Sequence, residues 1–213
     1  MGKKPKINFI KICGITDPQT AVACANSGAD AIGLVFFKKS PRYVSENDAL
    51  LICQALPSNI ITTGVFVDED FNFIMNRVKK MSLKAVQLHG NENPELIIQL
   101  QSNNVIVIKT IFFERKPYFK NAHLYSQASY LLAECGKGVL PGGNAKEWNW
   151  SKILQIKTEL PVILAGGLNT TNINDAISNL EISGVDVSSG VELSSGIKDL
   201  NKVSKFIKAI KSQ

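Results

Sequence analysis

Lys6-Ile7-Asn8-Phe9-Ile10-Lys11-Ile12-Cys13-Gly14-Ile15-Thr16-Asp17-Pro18 holds a strand, a turn and a helix start in one short stretch. The β-type run stops at Cys13, Gly14 lets the backbone turn, and Asp17 before Pro18 is a helix N-cap pattern. This unit recurs along the chain. Strand candidates are 7–12, 31–36, 61–67, 85–88, 105–110, 130–133, 162–165 and 185–187. Helices are expected to begin near Asp17, Ser45, Asp70, Asn91, Arg115, Asn149, Thr170 and Lys198. Most strand candidates are continuous apolar runs, which suit a parallel sheet covered by helices. Eight strand–helix units predict an α/β fold, a (β/α)8 barrel forming one domain over residues 1–213. A doubly wound open sheet is the alternative. It normally has fewer units, and no Gly-x-Gly-x-x-Gly follows the first strand. The longest irregular stretch, 134–148, is glycine-rich, and loops of that length in a compact domain are often functional.

The 213 residues are 45% hydrophobic and 20% charged, as expected of a globular domain. No apolar run reaches the ~20 residues of a membrane helix, and the basic N-terminus lacks a signal-peptide pattern. A cytoplasmic protein is expected. The net charge of +6 is spread out. Its densest cluster, Lys198 to Lys211, reads as the solvated face of a helix. Nucleic-acid binding is not expected without a basic stripe and stacking aromatics. The positive field would attract an anionic substrate. Cys13, Cys24, Cys53 and Cys135 are far apart with no Cys-x-x-Cys pair, so neither a disulfide framework nor a metal site is expected. Cys24 and Cys53 read as small core residues.

Barrel chemistry belongs at the C-terminal ends of the strands. Gly166-Gly167 follows strand 7, and Ser188-Ser189-Gly190 follows strand 8 and can open a short helix. Together they form a phosphate-site pattern, with backbone N–H groups facing one point. Arg42 is a carboxylate-clamp candidate by its planar fork, or else a surface arginine of the loop Lys38-Lys39-Ser40-Pro41-Arg42. His89 ends strand 4 and is either a proton donor or structural. Asp68 and Asp186 are acids, bases or helix caps. Cys13 is either a base or a small residue in a crowded turn. A thiol base needs a nearby cation. Lys11 shares its strand parity and points to the same side.

Taken together, Lys11-Ile12-Cys13-Gly14-Ile15-Thr16, 40–45, 64–67, Val86-Gln87-Leu88-His89-Gly90, 165–169 and 185–192 resemble, in order, the motifs of the phosphoribosylanthranilate isomerase family. The resemblance runs from Lys6 nearly to the C-terminus. It implies an Amadori rearrangement of N-(5-phosphoribosyl)anthranilate in tryptophan biosynthesis, without a cofactor. A general acid protonates the ribose ring oxygen and the ring opens to a Schiff base. A general base then removes the C2′ proton, and the enolamine becomes the 1-deoxyribulose product. The resemblance makes Cys13 the base and Arg42 the holder of the anthranilate carboxylate, with His89 and Asp186 as further substrate contacts. The phosphate falls to the turns after strands 7 and 8, with Gly142 and Gly143 of the long loop added. The only implied partner is the phosphosugar substrate, with no membrane; the chain would be a monomer or homodimer.

One position departs from the family pattern. The family's acid is an aspartate ending strand 6, and this chain reads Tyr130-Leu131-Leu132-Ala133-Glu134. In simple register the acid position is Ala133. Glu134, the candidate replacement, is one residue late and would point the other way unless a bulge or an early strand end turned it. Asp186 or a water is the other option. Three readings follow: a working isomerase; a phosphosugar-binding barrel of the same family with lost catalysis; and another barrel isomerase or lyase on a related phosphosugar, against which no catalytic lysine stands out at a strand end.

Overall fold

The computed structural model describes residues 7–137, 148–178 and 180–212. Eight strands close into a parallel barrel in sequence order: β1 (Phe9–Cys13), β2 (Ala31–Val35), β3 (Ile61–Phe66), β4 (Ala85–Leu88), β5 (Ile106–Phe112), β6 (Tyr130–Glu134), β7 (Val162–Leu164) and β8 (Gly184–Val187). The expected architecture is borne out. Both faces of each strand are covered, so apolar residues run continuously. One face lines the barrel and the other meets a shell of helices.

Alternation along the strands sorts the side chains. Phe9, Ala31, Ile108, Leu132, Ile163 and Ala165 pack together inside the barrel. Their strand neighbours, such as Ile10, Ile32, Val107, Leu131, Ala133 and Leu164, join the outer core under the helices. Continuing inward positions toward the C-terminal mouth gives Lys11, Thr63, Gln87, Thr110 and Asp186, all buried.

Helix starts follow the capping chemistry closely. Asp17 caps α1 (Pro18–Asn26), Ser45 caps α2 (Glu46–Ala55) and Asp70 caps α3 (Phe71–Met81), each through a side-chain oxygen. α4 (Pro94–Gln101) starts later than expected, because Asn93 rather than Asn91 accepts the capping bond. Two expected helices are absent as α-helices. After β5 the chain makes a 3-10 helix, Phe119–Tyr125, and after β6 another, Trp150–Gln155. Pro117 stands in the first of these connections, and proline disfavours a helical residue before it. α5 (Ile173–Ile177) and α6 (Leu200–Lys211) complete the shell. No helix among the described residues is long and apolar enough to cross a membrane.

α6 begins at Leu200, capped by Asp199, so Lys198 lies outside it. That residue belongs to a two-stranded antiparallel ribbon, β9 (Glu192–Ser194) and β10 (Ile197–Lys198), inserted after β8. Lys198 is 6% exposed, which corrects its expected place on a solvated face.

Candidate active site

Cys13 ends β1 with its side chain at the barrel mouth and is 8% exposed. Lys11, one inward position deeper, is fully buried and pairs with Asp186 at 2.9 Å. The Lys11 ammonium also acts on the Cys13 thiol. Burial pushes that thiol up from its ordinary value, the Lys11 ammonium opposes the rise, and Asp186 adds to it. For Lys11 itself burial works downward, but Asp186 and then Cys13 outweigh it and hold the ammonium above its usual range. The structure therefore places a cation under the thiol, as strand parity required, with its charge shared by Asp186.

Gly33 on β2 makes this arrangement fit. A Cβ there would lie 2.7 Å from Cys13 Sγ and 3.0 Å from Lys11 Nζ. Cys24 and Cys53 pack in the outer core, where Cys24 feels a lysine charge, Lys198, too weakly to offset burial. Burial alone dominates their rise, to about 12 and about 11. All four cysteines are unpaired.

Which way Glu134 faces is settled by register. β5 and β6 pair without interruption from Ile108↔Tyr130 to Phe112↔Glu134. Tyr130, Leu132 and Glu134 share the inward face, and Ala133 points out among the helix-packing residues. Glu134 thus enters the barrel by plain alternation, with no bulge, which overturns the expectation that it would face away. Its Oε2 lies 3.2 Å from His89 Nε2. The other ring nitrogen, Nδ1, is 2.8 Å from Gln87 Nε2 and 3.1 Å from Thr110 Oγ1. With the Gln87 amide donating to Nδ1, the proton of neutral His89 sits on Nε2 and points at Glu134. Phe112 packs edge-on against the His89 ring. Arg115 stacks over Phe112 at 3.8 Å and acts electrostatically on Glu134.

A second buried lysine holds this corner from outside the barrel. Lys109 Nζ donates to the Leu88 and Gly90 carbonyls and to Glu92 Oε2 at 2.6 Å. Glu92 Oε1 accepts from the Gly90 and Asp68 backbones. The chain flanking His89 is pinned on both sides.

The phosphate-site pattern is also assembled. Gly166 and Gly167 both take positive φ, which an L side chain resists. Trp148 Nε1 donates to the Ala165 carbonyl, Trp150 Nε1 to Gly166 and Asn172 Nδ2 to Gly167. These three bonds hold the turn's carbonyls in place. Ser188 precedes a one-turn 3-10 helix, Ser189–Val191, without a side-chain capping bond. A Cβ on Gly190 would collide with the Leu168 carbonyl, so the two turns lie against each other. Ser188 itself is committed: its hydroxyl donates to the Cys13 carbonyl at 3.0 Å. Gly142 and Gly143 lie outside the described residues.

Arg42 is 5% exposed and is no surface arginine. Its Nε and Nη2 bind the two oxygens of Glu192 at 2.8 and 2.7 Å. Among the described residues, Nη1 has no such carboxylate partner. Lys198 also reaches Glu192, at 2.6 Å. Glu192 stays below its ordinary carboxyl range because Arg42 and Lys198 together outweigh burial, the largest single influence.

Sequence reasoning missed Lys198 and Arg115 as site residues. The period-2 step from Gly196 to Lys198 was a signal for the first. Nothing local marked the second.

A thiol over a lysine, a carboxylate entering three strands away, and two N–H-rich turns side by side define a (β/α)8-barrel enzyme for acid–base work on a phosphorylated anion. The family model described as N-(5'phosphoribosyl)anthranilate (PRA) isomerase matches residues 10–209. The chain belongs to that family, and it is an isomerase. A relative from Desulfatibacillum aliphaticivorans, an N-(5'-phosphoribosyl)anthranilate isomerase, is 48% identical over 198 residues, 93% of this chain and 90% of its own length. The isomerase of Thermotoga neapolitana is 40% identical over 203 residues, 95% of this chain and 98% of its own. The crystal structure of the Thermotoga maritima enzyme superposes with a TM-score of 0.86 at 36% identity, covering 96% of this chain and 99% of that one. A phosphoribosyl anthranilate isomerase bound to reduced 1-(o-carboxyphenylamino)-1-deoxyribulose 5-phosphate gives 0.83 at 35% identity, with the same coverage.

Proposed function

We propose that the chain converts N-(5-phosphoribosyl)anthranilate to 1-(2-carboxyphenylamino)-1-deoxyribulose 5-phosphate, with Cys13 as base and Glu134 as acid. The observation that carries this is that both side chains enter the same mouth from strands on different sides of the barrel. Acid and base must reach opposite sides of the sugar.

The turns at Gly166-Gly167 and Ser188-Ser189-Gly190 hold the phosphate through backbone N–H groups, and Arg42 Nη1 meets the anthranilate carboxylate. Protonated Glu134 gives its proton to the ring oxygen as the C1′–O bond breaks and the amine lone pair forms the Schiff base. The Cys13 thiolate then takes the C2′ proton, and the freed electron pair makes the enolamine, which tautomerises to the ketone. His89 donates to Glu134 after it has lost its proton, and Lys11 balances the thiolate. Asp186 serves by holding Lys11. The proposal includes a cytoplasmic enzyme working as monomer or homodimer, supported by four unpaired thiols and by the dimeric and monomeric forms of the Thermotoga maritima relative.

Steady-state kinetics of wild type, Cys13→Ala and Glu134→Ala test the reading. Both substitutions are expected to lower kcat by about 10²–10⁴-fold with the fold intact. Full turnover in Glu134→Ala sinks the acid assignment. No turnover in a wild-type protein that binds the reduced product analogue would make it a phosphosugar-binding barrel instead.

A further inference from the structure

Among the described residues Lys198 Nζ donates to three oxygens: Glu192 Oε1 at 2.6 Å, the Ser188 carbonyl at 3.2 Å and the Ser188 hydroxyl at 3.3 Å. An ammonium has three protons and no acceptor, so these oxygens saturate it. Among the described residues its donors are thus occupied, so it acts on the two anchors through these partners, while its charge also eases ionisation of the Cys13 thiol directly.

Those partners lead to different parts of the mouth. Glu192 takes both Nε and Nη2 of Arg42, which leaves Nη1 as the free arm of the fork. Ser188 opens the turn after β8, and its hydroxyl donates to the Cys13 carbonyl. One ammonium therefore touches the anchor of the carboxylate clamp and the anchor of the phosphate turn. It also leaves the Arg42–Glu192–Lys198 cluster with one net positive charge, whereas Arg42 and Glu192 alone would be neutral.

The ribbon explains why a lysine can be there. Glu192 and Lys198 are paired across β9 and β10 and face inward together, while Leu193 and Ile197 on the other face are exposed. Gly196 turns the ribbon at positive φ against the Pro41 carbonyl, and its own carbonyl accepts from Thr16. The ribbon is thereby tied to the segment carrying Arg42 and to the loop after β1.

We propose that Lys198 is a positioning residue for both ends of the substrate, aligning Arg42 through Glu192 and the Ser188–Gly190 turn through Ser188. This rests on the reading of those two groups as the carboxylate and phosphate contacts. A lysine that merely neutralised a buried glutamate would alter stability without linking the two.

The full chain is assayed for kcat, KM and competitive inhibition by two fragments, anthranilate and inorganic phosphate. Lys198→Met is expected to weaken both fragments and raise KM by about tenfold each, with kcat changing less. Lys198→Arg keeps the charge but changes the donor geometry, and is expected to weaken both by less. Wild-type affinity for either fragment in these variants overturns the proposal, as does a lowered Tm with unchanged KM. If Lys198→Met does not fold, Lys198→Arg decides by the same criterion. Arg42→Lys should weaken anthranilate alone. Gly167→Ala, strained at its positive φ in the turn after β7, should weaken phosphate alone. If these two references do not respond, the reading of the contacts falls and takes the inference with it. If they respond and the Lys198 variants do not, the inference alone falls.

Discussion

Glu134 stands directly opposite Phe112 in an unbroken parallel register, so its carboxylate enters the barrel while Ala133 beside it faces the helices. A residue count from the two leucines of β6 puts Ala133 at the acid position. Hydrogen bonding to β5 puts Glu134, not Ala133, on the inward face.

This relationship separates two substitutions. Glu134→Ala should lower kcat by about 10²–10⁴-fold. Adding Ala133→Asp should not rescue it, because that carboxylate would sit unpaired in the apolar outer core. Ala133→Asp alone should lower stability by several kcal/mol, roughly as for other buried uncompensated charges, and be visible as a lower Tm. Rescue by the aspartate would show that β6 pairs in another register.

A thiol raised by burial must lose its proton before it can act. In the free enzyme kcat/KM should therefore climb with pH through a value above that of an ordinary thiol. Lys11 opposes the rise, so Lys11→Met should move the climb to still higher pH and lower kcat/KM near neutrality. The pH–rate profiles of the two proteins check the sign. A shift to lower pH in Lys11→Met contradicts the role of the ammonium.

Gly33 matters for the space it leaves. Gly33→Ala would press a methyl group on Cys13 Sγ, Lys11 Nζ and the Cys13 backbone, the last at 3.1 Å. Displacing the base by a fraction of an ångström should cost kcat/KM about tenfold or more, with a smaller change in Tm. Unchanged kcat/KM would mean the thiol tolerates relocation and is not held for catalysis.

Lys109 and Glu92 form a pair whose side chains are 0% and 2% exposed. Burial pushes the Lys109 ammonium down from its ordinary value, and Glu92 only partly restores it. Lys109→Met leaves a buried carboxylate without its partner and should destabilise by about 3–5 kcal/mol in denaturant unfolding. It should also loosen the His89 corner, lowering kcat more than it raises KM. The double variant Lys109→Met/Glu92→Gln should recover part of the stability.

Some of this was readable in the chain itself. Caps at Asp17, Ser45 and Asp70 act over three residues, so local sequence suffices to find them. Strand number followed from short apolar runs separated by turn residues. The glycine and serine turns were legible because only certain residues accept positive φ or open a short helix. The missing helices after β5 and β6 were not legible, since apolar spacing alone does not distinguish a 3-10 turn from an α-helix.

The alternation pattern of β6 was silent for a physical reason. Both faces of a barrel strand are buried, so Tyr130-Leu131-Leu132-Ala133 carries no in–out contrast, and its phase comes only from pairing with β5. The same holds for long-range charge partners. Lys11 meets Asp186 across 175 positions, and Arg42 meets Glu192 across 150. The sequence by itself determined the barrel, the family and the place of the Cys13 thiol, because these rest on local patterns repeated in order. Only the tertiary structure decided that Glu134 is inside, that Arg42 is already gripped and that Lys198 is buried. Those outcomes depend on which distant strand closes against which, and barrel closure sets that.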